Sequence, residues 1–223
     1  MTNPQHPDER ATDARTDWDA AYTGDVPEAP VDADLIAVAS GLAPGAVLDL
    51  GCGSGQNCIW LAQQGWDVLG VDIAPKAVAG ARLSAARASA EASFEVADIA
   101  TWRPDREFDL VTSTYALPPV GKDRDQALSM ATRAVAPGGT ILIADFDESL
   151  AGQGWMSREN LVSVEDLSSA VKHFDVRIAE VRVLGHSHGD QSRSLPVAFV
   201  VARRPAHGTA HIAADVPSFG AGT

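Results

Sequence analysis

Apolar residues in this chain fall in short unbroken runs separated by longer amphipathic stretches. The runs AVLDL (46–50), DVLGVD (67–72), SFEVAD (93–98), FDLVTS (108–113) and GTILIAD (139–145) are too short for independent helices, and each predicts a strand. Between them QNCIWLAQQG (56–65) predicts a helix closed by Gly65. Pro75 opens a second helix, KAVAGARLSAARASA, and DRDQALSMATRAVA (123–136) forms a third that ends at Pro137-Gly138-Gly139. Nearly continuous apolar strands alternating with helices predict a parallel sheet covered on both faces. The chain closes differently. FDVRIAEVRVLG (174–185) and LPVAFVVARR (195–204) are joined by a stretch too short for a crossover helix, so they pair antiparallel, with a flexible loop expected between them. The expected fold class is α/β: a doubly wound, seven-stranded, mostly parallel sheet with a terminal antiparallel strand.

Residues 1–15 are polar and predict a disordered arm, and 205–223 predict a mobile tail. Residues 16–204 then form a single domain, in which 16–44 supply an N-terminal helical cap. The 223 residues are 45% apolar and 21% charged, an ordinary globular mixture with enough chain to bury a core. Seventeen Lys and Arg stand against 30 Asp and Glu, a net charge of −13. That balance opposes binding to nucleic acid and to anionic membranes. Cys52 and Cys58, the two cysteines, have no metal-type spacing and read as reduced thiols. With no apolar leader in the first 17 residues and no membrane-length segment, the expected location is cytoplasmic.

The stretch VLDLGCGSGQN (47–57) sets Gly51, Gly53 and Gly55 directly behind the first strand. Ligands of open α/β sheets bind beyond the carboxyl ends of the strands, so this turn is the candidate site. The dinucleotide pattern GxGxxG needs glycine at 56, where Gln56 stands, and no Lys-Ser/Thr follows as a phosphate-binding P-loop requires. Asp49, two residues before Gly51, opposes a pyrophosphate and suits a ligand carrying an ammonium and a positive sulfonium. Asp72, 21 residues after Gly51, ends the second strand, where an acid accepts both ribose hydroxyls. Asp98, ending the third, is placed to accept from an adenine amino group. Together they describe a nucleoside with a cationic, phosphate-free arm.

In their order, VLDLGCGSG, DVLGVDIAP, FEVADI, FDLVTSTYAL and VAPGGTILIAD resemble the class I S-adenosylmethionine-dependent methyltransferases over residues 45–145, and to about 204 with the terminal strands. GSGQNCIWLAQQGWDVLGVDIA and RTDWDAAY are similar to the small tellurite-resistance and thiopurine-type branch. The resemblance implies a Rossmann-like methyltransferase fold with S-adenosyl-L-methionine as cofactor. Cofactor contacts are implied for Asp49, Gly51, Gly53, Gly55, Asp72, Ile73, Asp98, Ile99 and Thr114. Trp18 and Tyr22, four apart, either close that site or simply cover core as a docked helix. The implied reaction is methyl transfer to a nucleophilic S, N or O atom of a small molecule.

Tyr115, just past the fourth strand, is the first candidate catalytic residue; ordinary loop polarity explains it equally well. His186 in GHSHGD (185–190) is the second, as a proton acceptor at the rim. His186, His188 and Asp190 alternate like metal ligands, but a fourth ligand is not evident and exposed loop histidines account for them; no metal is expected. ALPPV (116–120) lacks the amide and ring of the Asn-Pro-Pro-Tyr motif of amino-group methyltransferases, so it reads as a rigid loop. Trp155 and Met156 line a pocket or fill a core gap. Two other function classes stay open: a nicotinamide-dependent oxidoreductase, disfavoured by Gln56 and Asp49, and a non-catalytic cofactor-binding protein.

Overall fold

The computed structural model describes residues 18–20, 22, 30–153, 156–188 and 191–206, with backbone alone at 184–188 and 191–194. The expected arm lies outside the described residues, as does all but the first two residues of the expected tail.

Five βα-type strands come first: β1 (Ala46–Leu50), β2 (Asp67–Asp72), β3 (Ala92–Val96), β4 (Phe108–Thr114) and β5 (Val135–Phe146). Helices α1 (Ala33–Ala39), α2 (Gln56–Gln63), α3 (Pro75–Arg87), α4 (Lys122–Ala134) and α5 (Val164–Ala170) precede or connect them, and β6 (Asp175–His188) and β7 (Gln191–Arg203) finish the sheet. The strand order is β3-β2-β1-β4-β5-β7-β6, parallel throughout except for β7, which runs against both neighbours. Order reverses between β1 and β4, which opens a crevice at their carboxyl ends.

Local chemistry sets several helix starts. Asp32 caps α1 by accepting from the Asp34 and Leu35 amides at 2.8 and 3.0 Å. Pro75 opens α3, where its missing N–H costs nothing. Ser163 and Asp166 cap α5 reciprocally.

Each sheet face carries its own core. Leu48, Leu50, Val111, Ile141 and Ile143 pack against Ala127, Met130 and Ala131 of α4 and Leu167 of α5. On the other face Val47, Val68, Leu110 and Leu142 meet Leu35 of α1, Cys58 and Leu61 of α2, and Val78 and Ala81 of α3. Burying each large aliphatic side chain here is worth about 1.5–3 kcal/mol. Covered on both faces, the inner strands need no polar alternation, which is why they read as unbroken apolar runs.

Three expectations need correction. The stretch expected as a loop after Gly185 continues the ladder, with His186 opposite Arg193, Ser187 opposite Ser192 and His188 opposite Gln191. Only Gly189 and Asp190 lie between the strands, and they are outside the described residues. Backbone pairing needs no apolar side chain, so polar letters concealed the strands. Helix α4 stops at Ala134 instead of 136, and β5 starts at Val135 instead of 139; Pro137-Gly138 sits in a register shift between Phe108 and Leu110 of β4. β3 ends at Val96, so Asp98 lies two residues past its strand.

Candidate active site

The turn after β1 is held from below. The Gly51 and Cys52 amides both donate to the Val71 carbonyl, at 2.7 and 3.1 Å, and Gly55 donates to Cys52 at 2.9 Å. Gly51, Gly53 and Gly55 all adopt positive φ. Gly53, at φ 52°, has a second constraint: a Cβ there would lie 2.8 Å from the Tyr22 hydroxyl. A Cβ on Gly51 would collide with Ala116, so the turn after β1 and the loop after β4 touch at that point.

Asp49 lies under this turn at 1% exposure. One of its carboxyl oxygens accepts from Thr112 Oγ1 at 2.6 Å, the residue opposite it on β4, and the other accepts from Cys58 Sγ at 3.3 Å. Burial pushes its pKa up to about 6 against the pull of those two bonds; Asp72 and Asp32 add repulsion. Asp72 is also buried, and burial raises it too, opposed by backbone donors. Its Oδ2 accepts from the Gly53 amide and its Oδ1 from the Ala74 amide, both at 2.8 Å. Asp98 is half-buried, with Oδ1 accepting from Ala100 at 2.9 Å. Ile99 is buried in the core, and Ile73 is partly exposed beside Asp72.

Tyr22 stands over Gly53, and burial together with the Asp72 charge pushes its phenol up to about 12. Its neighbour Asp19 accepts from the Lys76 amide at 2.8 Å and pairs with the Lys76 ammonium at 3.3 Å, which pins the segment to the start of α3. Trp18 is 54% exposed.

Across the crevice, Thr114 ends β4 and accepts from Asn57 Nδ2 at 3.4 Å; Asn57 Oδ1 in turn accepts from the Asp32 amide at 3.1 Å. Tyr115 follows at φ 56°, a left-handed conformation rare for its residue type. Its ring stacks at 5.1 Å on Phe146, and its phenol is raised by burial and by Asp32, Asp34 and Asp145. Asp145, at the tip of β5, is 5% exposed and pushed up to about 6 by burial, although the Phe146 and Leu117 amides donate to it. Sequence reading passed over Asp145, Asn57 and Asp32. For Asp145 the signal was present, since it ends a strand as Asp72 does.

Arg124 of α4 ties the far wall together. Its guanidinium donates to the carbonyls of Pro118, Leu161 and Glu159 at 2.7, 2.7 and 2.8 Å. The buried guanidinium thus joins Pro118 of ALPPV to the 159–161 segment. Past Phe146, which is the last β5 residue paired with β7, the β6–β7 hairpin extends beyond the carboxyl edge of the sheet, on the crevice side. The side chains of His186 and His188, together with Asp190 and Trp155, lie outside the described residues. Among the described residues no cluster of three His, Cys, Asp or Glu could hold a metal. No described helix is long and apolar enough to cross a membrane.

The donor set fits an S-adenosyl nucleoside. The Gly53 cradle admits close backbone approach that a Cβ would block. Asp72 accepts from the Gly53 amide on Oδ2 and the Ala74 amide on Oδ1, and the carboxylate keeps lone-pair capacity for a ribose hydroxyl. Among the described residues no lysine or arginine hydrogen-bonds to Asp49 or Asp72, and a cation in the cleft would relieve the cost of their burial.

Residues 47–139 match a family described as a methyltransferase domain. Ribosomal RNA small subunit methyltransferase C of Alcanivorax borkumensis is 31% identical over 134 residues, 60% of this chain but only 38% of that protein. Ubiquinone biosynthesis O-methyltransferase of Brucella ovis is 28% identical over 183 residues, 71% of this chain and 73% of the relative. A solved structure concerning conversion of a disulfide bond into a thioacetal group during echinomycin biosynthesis superposes with a TM-score of 0.69. It is 22% identical, with 88% of this chain and 94% of that chain covered. TehB from Haemophilus influenzae superposes with a TM-score of 0.68 at 18% identity, covering 78% of this chain and 62% of that one. The two structural likenesses establish the fold.

Proposed function

We propose that this chain is a class I S-adenosylmethionine-dependent methyltransferase that transfers a methyl group to a nucleophilic S, N or O atom of a small molecule, in the crevice between β1 and β4. One observation carries this reading. Asp49 and Asp72 flank the glycine turn, burial raises both from their ordinary value, and among the described residues neither hydrogen-bonds to a basic side chain. A ligand bearing an ammonium and a sulfonium regains that energy, whereas a diphosphate would add to it.

When bound, S-adenosyl-L-methionine supplies a methyl group already activated by positive sulfur. This chain's residues bind and align. Asp72 with Ile73 holds the ribose, Asp98 with Ile99 the adenine edge, and Asp49 with Gly51, Gly53 and Gly55 the amino-acid arm. Tyr22 covers the turn and excludes water, with Trp18 at its outer side. Thr114, fixed by Asn57, bounds the methyl-transfer side. Alignment of this kind is worth about 7–11 kcal/mol of barrier. Tyr115, a protonated phenol at neutral pH that burial and neighbouring carboxylates make still harder to ionise, orients the acceptor by donating a hydrogen bond. Asp145, held near 6, has the proton affinity of a general base for an amine or hydroxyl nucleophile. His186, on the hairpin that overhangs this end of the sheet, is the alternative base.

Among branches, the tellurite-resistance and thiopurine-type group is the nearest relation we propose, on the wording of 53–74 and the TehB likeness. The excess of acidic residues favours a small acceptor over ribosomal RNA, the target named for one relative. Calorimetry with S-adenosylhomocysteine and NAD, followed by turnover on thiols, amines, phenols and ribosomal RNA, tests the whole reading. We expect tight S-adenosylhomocysteine binding and turnover on a small molecule. Tighter NAD binding, or turnover confined to RNA, would overturn it; cofactor binding with no turnover on any acceptor would leave a non-catalytic binding protein.

A further inference from the structure

We propose that β6 is the surface through which two copies of this chain associate, by antiparallel pairing of β6 with β6 of a second copy about a twofold axis at Val181. Among the described residues β6 is the last strand of the sheet and pairs only with β7, so one row of its backbone N–H and C=O groups has no strand partner there. Proteins usually blunt such an edge with a bulge, a proline or a lysine. Here the register shift lies at the start, between Val176 and Ile178, and residues 178–188 then pair with β7 in unbroken register. Instead of lysines, that edge presents Val176, Val181 and Val183 at 44, 50 and 65% exposure.

The sequence of the edge is self-complementary. Ala179, Val181 and Val183 stand opposite Val200, Ala198 and Pro196, so they share the sheet face that α4 and α5 cover further in. Glu180 and Arg182 take the opposite face, where Arg182 pairs with Glu180 at 2.8 Å and with Asp34, and lies 3.8 Å over the Phe199 ring. With Val181 on the axis, each Glu180 meets Arg182 of the second copy, each Ala179 meets Val183, and Val181 meets its own equivalent. Moving the axis one residue either way sets Glu180 against Glu180 or Arg182 against Arg182, and like charges directly opposite destabilise a pair. Of the three registers centred on Glu180, Val181 and Arg182, the Val181 register satisfies both faces. Arg182 is already ordered by Asp34, Glu180 and Phe199, so little further side-chain freedom is lost on association. A contact built on one strand pair is small, so the assembly is expected to depend on concentration.

Sedimentation of the full chain across a range of concentrations tests this. The mass is expected to rise from 23.3 kDa to twice that, and Val181→Lys is expected to hold it at the single-chain value while methyl transfer continues. Val181→Cys is expected to cross-link to its own equivalent under mild oxidation, because directly opposite Cβ atoms lie about 4.5–5.5 Å apart, whereas Val176→Cys is not. Cys52 and Cys58 are buried and leave a low background. A chain monomeric at every concentration, or a dimer that survives Val181→Lys without a Val181→Cys cross-link, would refute the pairing.

Discussion

At Gly53 three demands meet in one residue: a left-handed backbone, an amide that donates to Asp72, and a surface on which the Tyr22 hydroxyl rests. Gly53→Ala should therefore separate binding from stability. Left-handed backbone costs a non-glycine residue about 1–2 kcal/mol, and the new methyl pushes Tyr22 off the turn. Urea denaturation is expected to report a loss of that size, while calorimetry with S-adenosylhomocysteine reports at least a tenfold weaker complex. An affinity equal to wild type would mean that ligand does not approach the turn at Gly53. The three glycines and Asp72 were legible in sequence because their spacing from the strands is local. Asn57 and Asp32 were not, since their roles arise only once α1 settles against the start of α2.

Among the elements, α4 does more than cover the sheet. Its Arg124 spends its guanidinium on three backbone carbonyls from two separate loops, and burial lowers its pKa against the raising effect of Asp145. Leaving a buried acceptor unsatisfied typically costs about 1–3 kcal/mol. Arg124→Met should destabilise the fold within that range, seen as a lower urea midpoint, and should depress kcat more than cofactor affinity, because the proposed reading sets Leu117 to Val120 on the acceptor side. A variant with unchanged kcat would show that this wall is rigid without its strap. Sequence reading took ALPPV for a rigid loop and was silent on its link to Arg124; a lone arginine within an amphipathic helix looks solvent-facing until the 158–161 segment arrives beside it.

For the whole molecule, buried acids give stability an unusual dependence on pH. Asp49 and Asp145 sit near 6 in the fold against an ordinary value of 3.8. A carboxyl with a raised folded pKa binds its proton more tightly when folded, so its contribution favours folding below the unfolded value and is lost as pH rises through the folded one. Each site accounts for on the order of 3 kcal/mol at most, lost between about pH 4 and pH 6. Urea denaturation from pH 4 to 7 should show stability falling as pH rises and levelling off above about 6, with Asp49→Asn and Asp145→Asn each flattening the slope. A wild-type slope matched by both variants would remove these two carboxyls as its source.

The pattern of apolar runs alone determined the parallel strands, their order in the chain and the antiparallel ending, because a sheet buried on both faces must be written in unbroken aliphatic residues. It also determined the glycine turn and its acids, which lie within a few residues of strand ends. Tertiary structure decided the rest: that β6 and β7 run on through polar residues, that Asp145 is buried beside Tyr115, and that Arg124 gathers distant carbonyls. Backbone hydrogen bonding and burial depend on which segments become neighbours, and neighbours far apart in the chain leave no periodic trace in its letters.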